Sequence, residues 1–291
     1  MTAPVAVLGL GAMGLAMAQC LVEVMPVRGF DVVPDRLALA EADGVVPAAS
    51  PAAAADGVEV VVVSVRDGAQ LHAVVLGERG AAETMAAGSV LVVTSTVGAQ
   101  AVRDVAAALG PRGVHVVDAP VSGGPVRAAV GDLLLMVGAG PEALAIARPV
   151  LEALASTLAF PGGVGAGQDL KTVNQLLCGI HTAAANEALA LAHAMGLDLD
   201  AVLETLGKGA AASFMFSDRG PRIVEQLRGE RPALRSRLDV IAKDMGIVGD
   251  VARTFRVSAP VATAAEQLYR IGLAAGLAAE DDSVISTILS E

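Results

Sequence analysis

The sequence predicts an α/β domain built on a doubly wound parallel sheet, followed by an all-α domain. Three observations carry this. Up to about residue 160, short β-branched runs alternate with alanine-rich helical stretches, the pattern of strand–helix–strand units. One of those runs, Val58–Val63, is almost purely valine, as a strand covered on both faces should be. Beyond residue 163 the strand-like runs stop and helical periodicity takes over. The division is placed at 1–162 for the α/β domain and 163–291 for the all-α domain.

Strands are expected at Val5–Leu8, Val27–Val32, Val58–Ser64, Val90–Thr94, Val114–Asp118, Leu133–Val137 and Thr157–Phe160. Helices are expected between them at Met13–Val24, Asp35–Ala42, Gln70–Val75, Ala99–Leu109 and Glu142–Leu154. Gln168 to Met195 reads as one long, nearly uncharged helix, and a helix apolar on most sides is buried on most sides. Further helices follow at about 199–207, 216–228, 237–255, 259–275 and 282–289, with joints at Gly229–Pro232 and Ala259–Pro260.

Composition narrows the function. The 291 residues are 54% hydrophobic but only 2% aromatic, so the core must be built from Ala, Val and Leu. A net charge of −11 without a basic stripe argues against nucleic acid and anionic membrane surfaces. Two distant cysteines, Cys20 and Cys178, and four scattered histidines offer no metal-ligand spacing and point to a reducing, cytoplasmic setting. His181 and His193 lie in an apolar run and read as packing residues. The apolar N-terminus lacks the basic region of a signal peptide, and its glycines fall where a strand would turn into a helix. Other apolar stretches carry breakers or charges, so no transmembrane span is expected.

Three segments carry candidate chemistry. Gly9, Gly11 and Gly14 form G-x-G-x-x-G between a strand and a helix. Such a turn lets backbone approach a pyrophosphate at a helix N-terminus, which makes the sheet Rossmann-type; the glycines could also serve only turn and packing. The next strand reaches Asp31, seventeen residues after Gly14, where a carboxylate can accept from an adenosine ribose. With Val32 next and no arginine there, NAD is favoured over NADP. In the second segment, Ser122, Gly123 and Gly124 lie at the carboxyl end of a strand and suit a carboxylate, although an ordinary loop would look similar. In the third, Lys171, Asn174 and Cys178 fall along one helix face. A cation in the first helical turn opposes the dipole, and apolar neighbours strip water from the ammonium, which favours the neutral amine. A snorkelling lysine, and an Asn174 that only joins helices, are the bland alternatives.

Together these segments resemble the β-hydroxyacid dehydrogenases, relatives of 3-hydroxyisobutyrate and 6-phosphogluconate dehydrogenases. GLGAMG (9–14) is similar to the family's dinucleotide motif, DAPVSGG (118–124) to its substrate motif and GAGQDLKTVNQ (165–175) to its catalytic motif. The resemblance implies that Gly9, Leu10, Gly11, Ala12, Met13 and Gly14 hold the cofactor with Asp31, Val65, Thr96 and Lys243. It implies that Ser122, Gly123, Gly124 and Asn174 bind substrate and that Lys171 is the acid/base. The chain departs from the family at Val65–Arg66, often Leu-Pro, and at Gln175, often Asn. Segments 170–196 and 209–223 look most like the L-threonate dehydrogenase branch.

The expected activity is therefore hydride transfer between NAD and a small 3-hydroxy sugar acid such as L-threonate. The alternatives are 3-hydroxyisobutyrate dehydrogenase or tartronate or succinic semialdehyde reductase activity. An imine reductase and a non-catalytic nucleotide-binding protein are remoter alternatives, and Lys171 with the carboxylate loop argues against both. Arg219, Arg222, Arg228, Arg231, Arg235 and Arg237 read as a solvated face or subunit contact, with a substrate-contacting arginine as the alternative. Phe214 and Phe216 could wall a pocket or pack the core. The apolar 168–195 helix predicts a homodimer or homotetramer formed through the α domain.

Overall fold

The computed structural model describes residues 3–290. In chain order, the first part comprises β1 (Val5–Leu8), α1 (Ala12–Val22), β2 (Val27–Phe30), α2 (Pro34–Ala42), β3 (Val46–Pro47), α3 (Pro51–Ala55), β4 (Val60–Val63) and α4 (Gly68–Leu76). It continues through β5 (Val90–Val93), α5 (Ala99–Leu109), β6 (His115–Asp118), β7 (Val121–Ser122), α6 (Gly124–Ala128), β8 (Leu133–Gly138), α7 (Pro141–Leu154) and β9 (Ala155–Gly162). The short elements β3, α3, β7 and α6 were not anticipated. They are two to five residues long, too short to set up a hydrophobic period.

The strands run in the order β3-β2-β1-β4-β5-β6-β8-β7, with β9 beside β8. Through β6 every pairing is parallel. The sheet is mixed at the far edge, where β8 is antiparallel to β6 and β7. The step from β1–β2 back to β4 is the topological switch point, where a crevice opens at the carboxyl ends of the strands.

The strands feed two apolar layers by simple alternation. Val5, Val7, Val60, Val62, Val90 and Val92 face the layer containing Met17 and Leu21 of α1 and Leu151 of α7. Ala6, Leu8, Val61, Val63, Leu91 and Val93 face the other, with Leu71 of α4 and Val102 and Leu109 of α5. Cβ direction reverses at each residue of a strand, so unbroken valine is what a sheet clad on both faces requires.

The second part contains α8 (Ala166–Ala194), α9 (Leu199–Leu206), α10 (Phe214–Leu227), α11 (Leu238–Phe255), α12 (Pro260–Ala274) and, after a 3₁₀ turn at Asp282–Val284, α13 (Ile285–Leu289). The compact units divide at Lys171/Thr172, inside α8. The physical reason is that the first turn of α8 is hydrogen-bonded to the sheet, as described below.

Within the second unit, α8 serves two cores. Ala183 joins Leu238, Met245, Leu268, Tyr269 and Ile285, while Leu189 and Ala192 join Leu199, Phe216 and Ile223. Gly179 faces the Met245 side chain where a Cβ would collide, and its carbonyl accepts from the Tyr269 hydroxyl. Close helix approach over small residues thus replaces the aromatic packing that the chain lacks.

Arg222, only 5% exposed, donates from Nε to Asp281 Oδ1 at 3.0 Å, and Arg219 pairs with the buried Asp282 at 3.2 Å. Asp281 Oδ2 also accepts from Arg235 N at 2.9 Å and Ser236 N at 3.1 Å. The expected solvated arginine face is therefore corrected for Arg219 and Arg222: their charges are spent on carboxylates inside the unit. Arg228, Arg231 and Arg237 pair with Asp200, Glu280 and Asp239.

Burial pushes the Asp281 carboxyl up, but the Arg235 and Ser236 N–H groups and the Arg222 guanidinium overcome this and hold it below its ordinary value. A depressed folded value adds stability above the ordinary carboxylate pKa and loses it as pH falls through the folded one. Asp281→Asn, which leaves Arg222 with Asp218 and Asp282 as its remaining carboxylate partners, is expected to cost about 1.5–3 kcal/mol at neutral pH. The deficit should shrink below about pH 4. Urea melts followed by circular dichroism across pH check both the size and the sign.

Candidate active site

The glycine turn follows β1 at the switch point. Gly9, at φ 91°, adopts a backbone conformation that other residues resist, and donates its N–H to Phe30 O at 2.8 Å. Gly14 abuts the Gly9 carbonyl so closely that a Cβ would collide with it. Gly11 is the N-cap of α1 and makes no side-chain cap. The space a Cβ would take at Gly11 is open, its nearest neighbour being the Arg36 guanidinium. Ala12 is exposed, Met13 half-buried and Leu10 buried in the core. This turn fits a pyrophosphate.

Asp31 holds the turn in shape. Its Oδ2 accepts from Leu10 N at 2.7 Å and its Oδ1 from Val33 N at 2.8 Å. Arg36 Nη1 lies 3.7 Å from Oδ2. No cation stands at the position after Asp31; the arginine beside this carboxylate comes from the first turn of α2, five residues on.

The loops after β4 and β5 are tied together. Ser95 Oγ accepts from Val65 N at 2.7 Å, and Thr94 donates to Val63 O at 2.8 Å. Thr96 is half-buried in the same loop.

The end of β6 then engages the start of α8. Asp118, fully buried, accepts from Gly165 N through Oδ1 at 2.6 Å and from Gln168 N through Oδ2 at 2.8 Å. Burial pushes the Asp118 carboxyl above its ordinary value while those two N–H groups pull it back. Side chains at Gly138 and Gly167 would overlap Asp118, so both glycines are required by close approach. The Gln168 amide reaches the neighbouring loop: Oε1 accepts from Val97 N and Gly98 N, each at 3.1 Å, and Nε2 donates to Ser95 O at 2.8 Å. Lys171, one turn further along α8, is 6% exposed.

Ser122, Gly123 and Gly124 follow at β7 and the start of α6. Gly123 (φ 145°) and Gly124 (φ 75°) both take backbone conformations that favour glycine.

In the second unit, Asn174 donates to Gln175 Oε1 at 2.8 Å and approaches Cys178 Sγ at 3.4 Å, so its amide bonds within its own helix. Gln175 in turn donates to Asp244, which pairs with Lys243 at 2.9 Å. Phe216 packs in the core and Phe214 is exposed. His193 is exposed, not packed as the apolar run suggested. No group of three or more potential metal ligands occurs among the described residues. No helix among them is long and apolar enough to cross a membrane.

Sequence reading missed Asp118, Gln168, Ser95 and Asp244, although each lies in a segment it singled out. Asp118 and Gln168 were visible as polar residues in apolar surroundings, but their partners are up to 73 residues away.

A glycine turn of this kind at the switch point of a parallel sheet defines a dinucleotide-binding α/β protein. Comparison with known proteins gives the family. Residues 4–163 match the NAD binding domain of 6-phosphogluconate dehydrogenase. Residues 165–289 match the NAD-binding region of NADP-dependent 3-hydroxyisobutyrate dehydrogenase. The L-threonate dehydrogenase of Cupriavidus necator is 38% identical, with 99% of this chain and 96% of the relative covered. That of Haemophilus influenzae is 35% identical, covering 98% and 95%. A crystal structure of 3-hydroxyisobutyrate dehydrogenase from Salmonella typhimurium superposes with a TM-score of 0.90 at 35% identity, covering 99% of this chain and 100% of that one. The chain belongs to the β-hydroxyacid dehydrogenase family and is an NAD(P)-dependent 3-hydroxyacid dehydrogenase.

Gly167→Ala sets a methyl group against Met136 O and Asp118 and is expected to push α8 off the sheet edge. Overpacking of this kind costs about 1–3 kcal/mol. A thermal melt should show a lower Tm; an unchanged Tm would contradict the close approach.

Proposed function

We propose that the protein oxidises L-threonate or a near sugar-acid relative with NAD, using Lys171 as general acid/base. The observation that carries this is the burial of Lys171 one turn beyond a helix start pinned to the carboxyl edge of the sheet. The L-threonate dehydrogenases among its relatives support the substrate class.

Gly9 to Gly14 and the uncapped start of α1 would hold the pyrophosphate of NAD, with Asp31 on the ribose side. Val65, Thr96 and Lys243 are assigned to the rest of the cofactor bed. Ser122, Gly123, Gly124 and Asn174 are assigned to the substrate, the glycine backbone accommodating its carboxylate. When bound, NAD supplies a hydride acceptor for the carbon that bears the hydroxyl. Lys171 Nζ, as the neutral amine, takes the hydroxyl proton as the C–H bond breaks and the carbonyl forms. In the reverse direction its ammonium returns that proton to the oxygen.

A screen of NAD and NADP with L-threonate, D-threonate, 3-hydroxyisobutyrate, L-serine, D-glycerate and 6-phosphogluconate tests the substrate assignment. L-threonate with NAD should give the highest kcat/KM. Lys171→Ala should lower kcat at least about 10²-fold while leaving NADH affinity nearly intact. Lys171→Arg should fail as well, because arginine keeps its proton. Retained turnover in either variant would sink the assignment.

The proposal includes a homodimer or homotetramer in the cytoplasm. Leu191 and Met195 of α8, 63% and 64% exposed, line an apolar groove of about 440 Å³ with Leu197 and Leu206. Two distant cysteines that form no disulfide fit a reducing compartment. Light scattering at micromolar concentration should give a dimer or larger, and Leu191→Glu should shift it toward monomer. A monodisperse wild-type monomer would refute the assembly.

A further inference from the structure

We propose that Gln168 is a positioning residue for the reaction: its buried amide fixes the Lys171 turn against the loop that carries Thr96. The inference rests on the reading of Lys171 as acid/base.

The geometry is specific. Gln168 is 1% exposed, and its side chain reaches three backbone groups of one loop, accepting from Val97 N and Gly98 N and donating to Ser95 O. Its own N–H is held by Asp118. Ser95 in turn holds Val65 N. A continuous chain of hydrogen bonds therefore runs from the loop after β4, through the loop after β5, to the first turn of α8, with Asp118 fixing that turn to β6. Leucine or methionine could fill the same space, but neither could answer two donors and one acceptor. Lys171 follows Gln168 by three residues, so any drift of this turn displaces Nζ relative to the loop. A displacement of about 1 Å can cost about 10²-fold in rate.

The test uses the full chain with the best substrate of the wild-type screen, its hydroxyl-bearing carbon carrying hydrogen or deuterium. Gln168→Met keeps the length and loses the amide. It is expected to lower kcat about 10–100-fold, to leave substrate KM within about threefold, and to raise the primary deuterium isotope effect on kcat. A purely structural role would lower Tm and the active fraction without moving the isotope effect. Gln168→Glu covers the case in which the methionine variant does not fold, since it keeps both acceptor positions. Its neutral acid also regains a donor toward Ser95 O, so its kcat relative to wild type should rise as pH is lowered from 8 to 5. A Gln168→Met kcat within twofold of wild type, or a lower one with an unchanged isotope effect, would overturn the proposal. A flat Gln168→Glu ratio would do the same. A wild-type enzyme inactive on every acid overturns the proposed function and this inference together; failure confined to the variants overturns this inference alone.

Discussion

Two backbone N–H groups, those of Gly165 and Gln168, converge on one buried carboxylate, Asp118, and the start of the longest helix depends on that meeting. A helix start leaves N–H groups unpaired, and burying them without acceptors costs free energy. Asp118 supplies acceptors from the end of a sheet strand, so α8 begins at a fixed point on the carboxyl edge. A carboxylate with no solvent is itself costly. The N–H donors and the positive end of the helix offset that cost in part, and the carboxyl remains pushed above its ordinary value. The glycines at 138 and 167 are consequences of the same approach, because a methyl at either would enter the space of Asp118.

The remaining architecture follows from building with small side chains. Valine strands clad on both faces make the sheet, and α-helical packing in the second unit closes over glycine and alanine rather than aromatics. Large polar side chains inside such a core need hydrogen-bond partners. Tyr269 bonds to the Gly179 carbonyl, and Arg222 bonds to Asp281. These interior pairs explain why an acidic protein keeps several arginines in one stretch without presenting them all to solvent.

Much of this was legible in the chain itself. The valine run at 58–63 announced a two-sided sheet, and GLGAMG announced the dinucleotide turn because each glycine has a local steric cause. Lys171 stood out because a helix starting at Gln168 would set a cation in its first turn, where it is locally unfavourable; the helix starts at Ala166 and puts Lys171 in the second turn. What remained hidden was long-range. Nothing near Asp118 in the sequence shows that it caps a helix 47 residues later, and nothing near Gln168 shows that it binds the loop at 95–98. Arg222 looked solvated because its partner lies 59 residues downstream. The edge reversal at β8 escaped notice because hydrophobic alternation carries no strand direction. Local sterics can be read from neighbours in the chain, whereas pairing of buried polar groups needs the fold.

The chemical reading gathers at one point. A dehydrogenase needs a base near the reacting carbon with very little tolerance in position, and a lysine side chain is long and flexible. Under the proposed role of Lys171, the backbone that carries this side chain is held in place by fastening the helix turn before it. Amide hydrogen exchange tests this fastening most directly. The N–H groups of Gly165, Gln168, Val97 and Gly98 should exchange slowly in the wild-type protein, and Asp118→Ala should accelerate them together while the amides of β1 and β4 stay protected. Fast exchange at these four sites in the wild type, or protection unchanged by Asp118→Ala, would contradict the account.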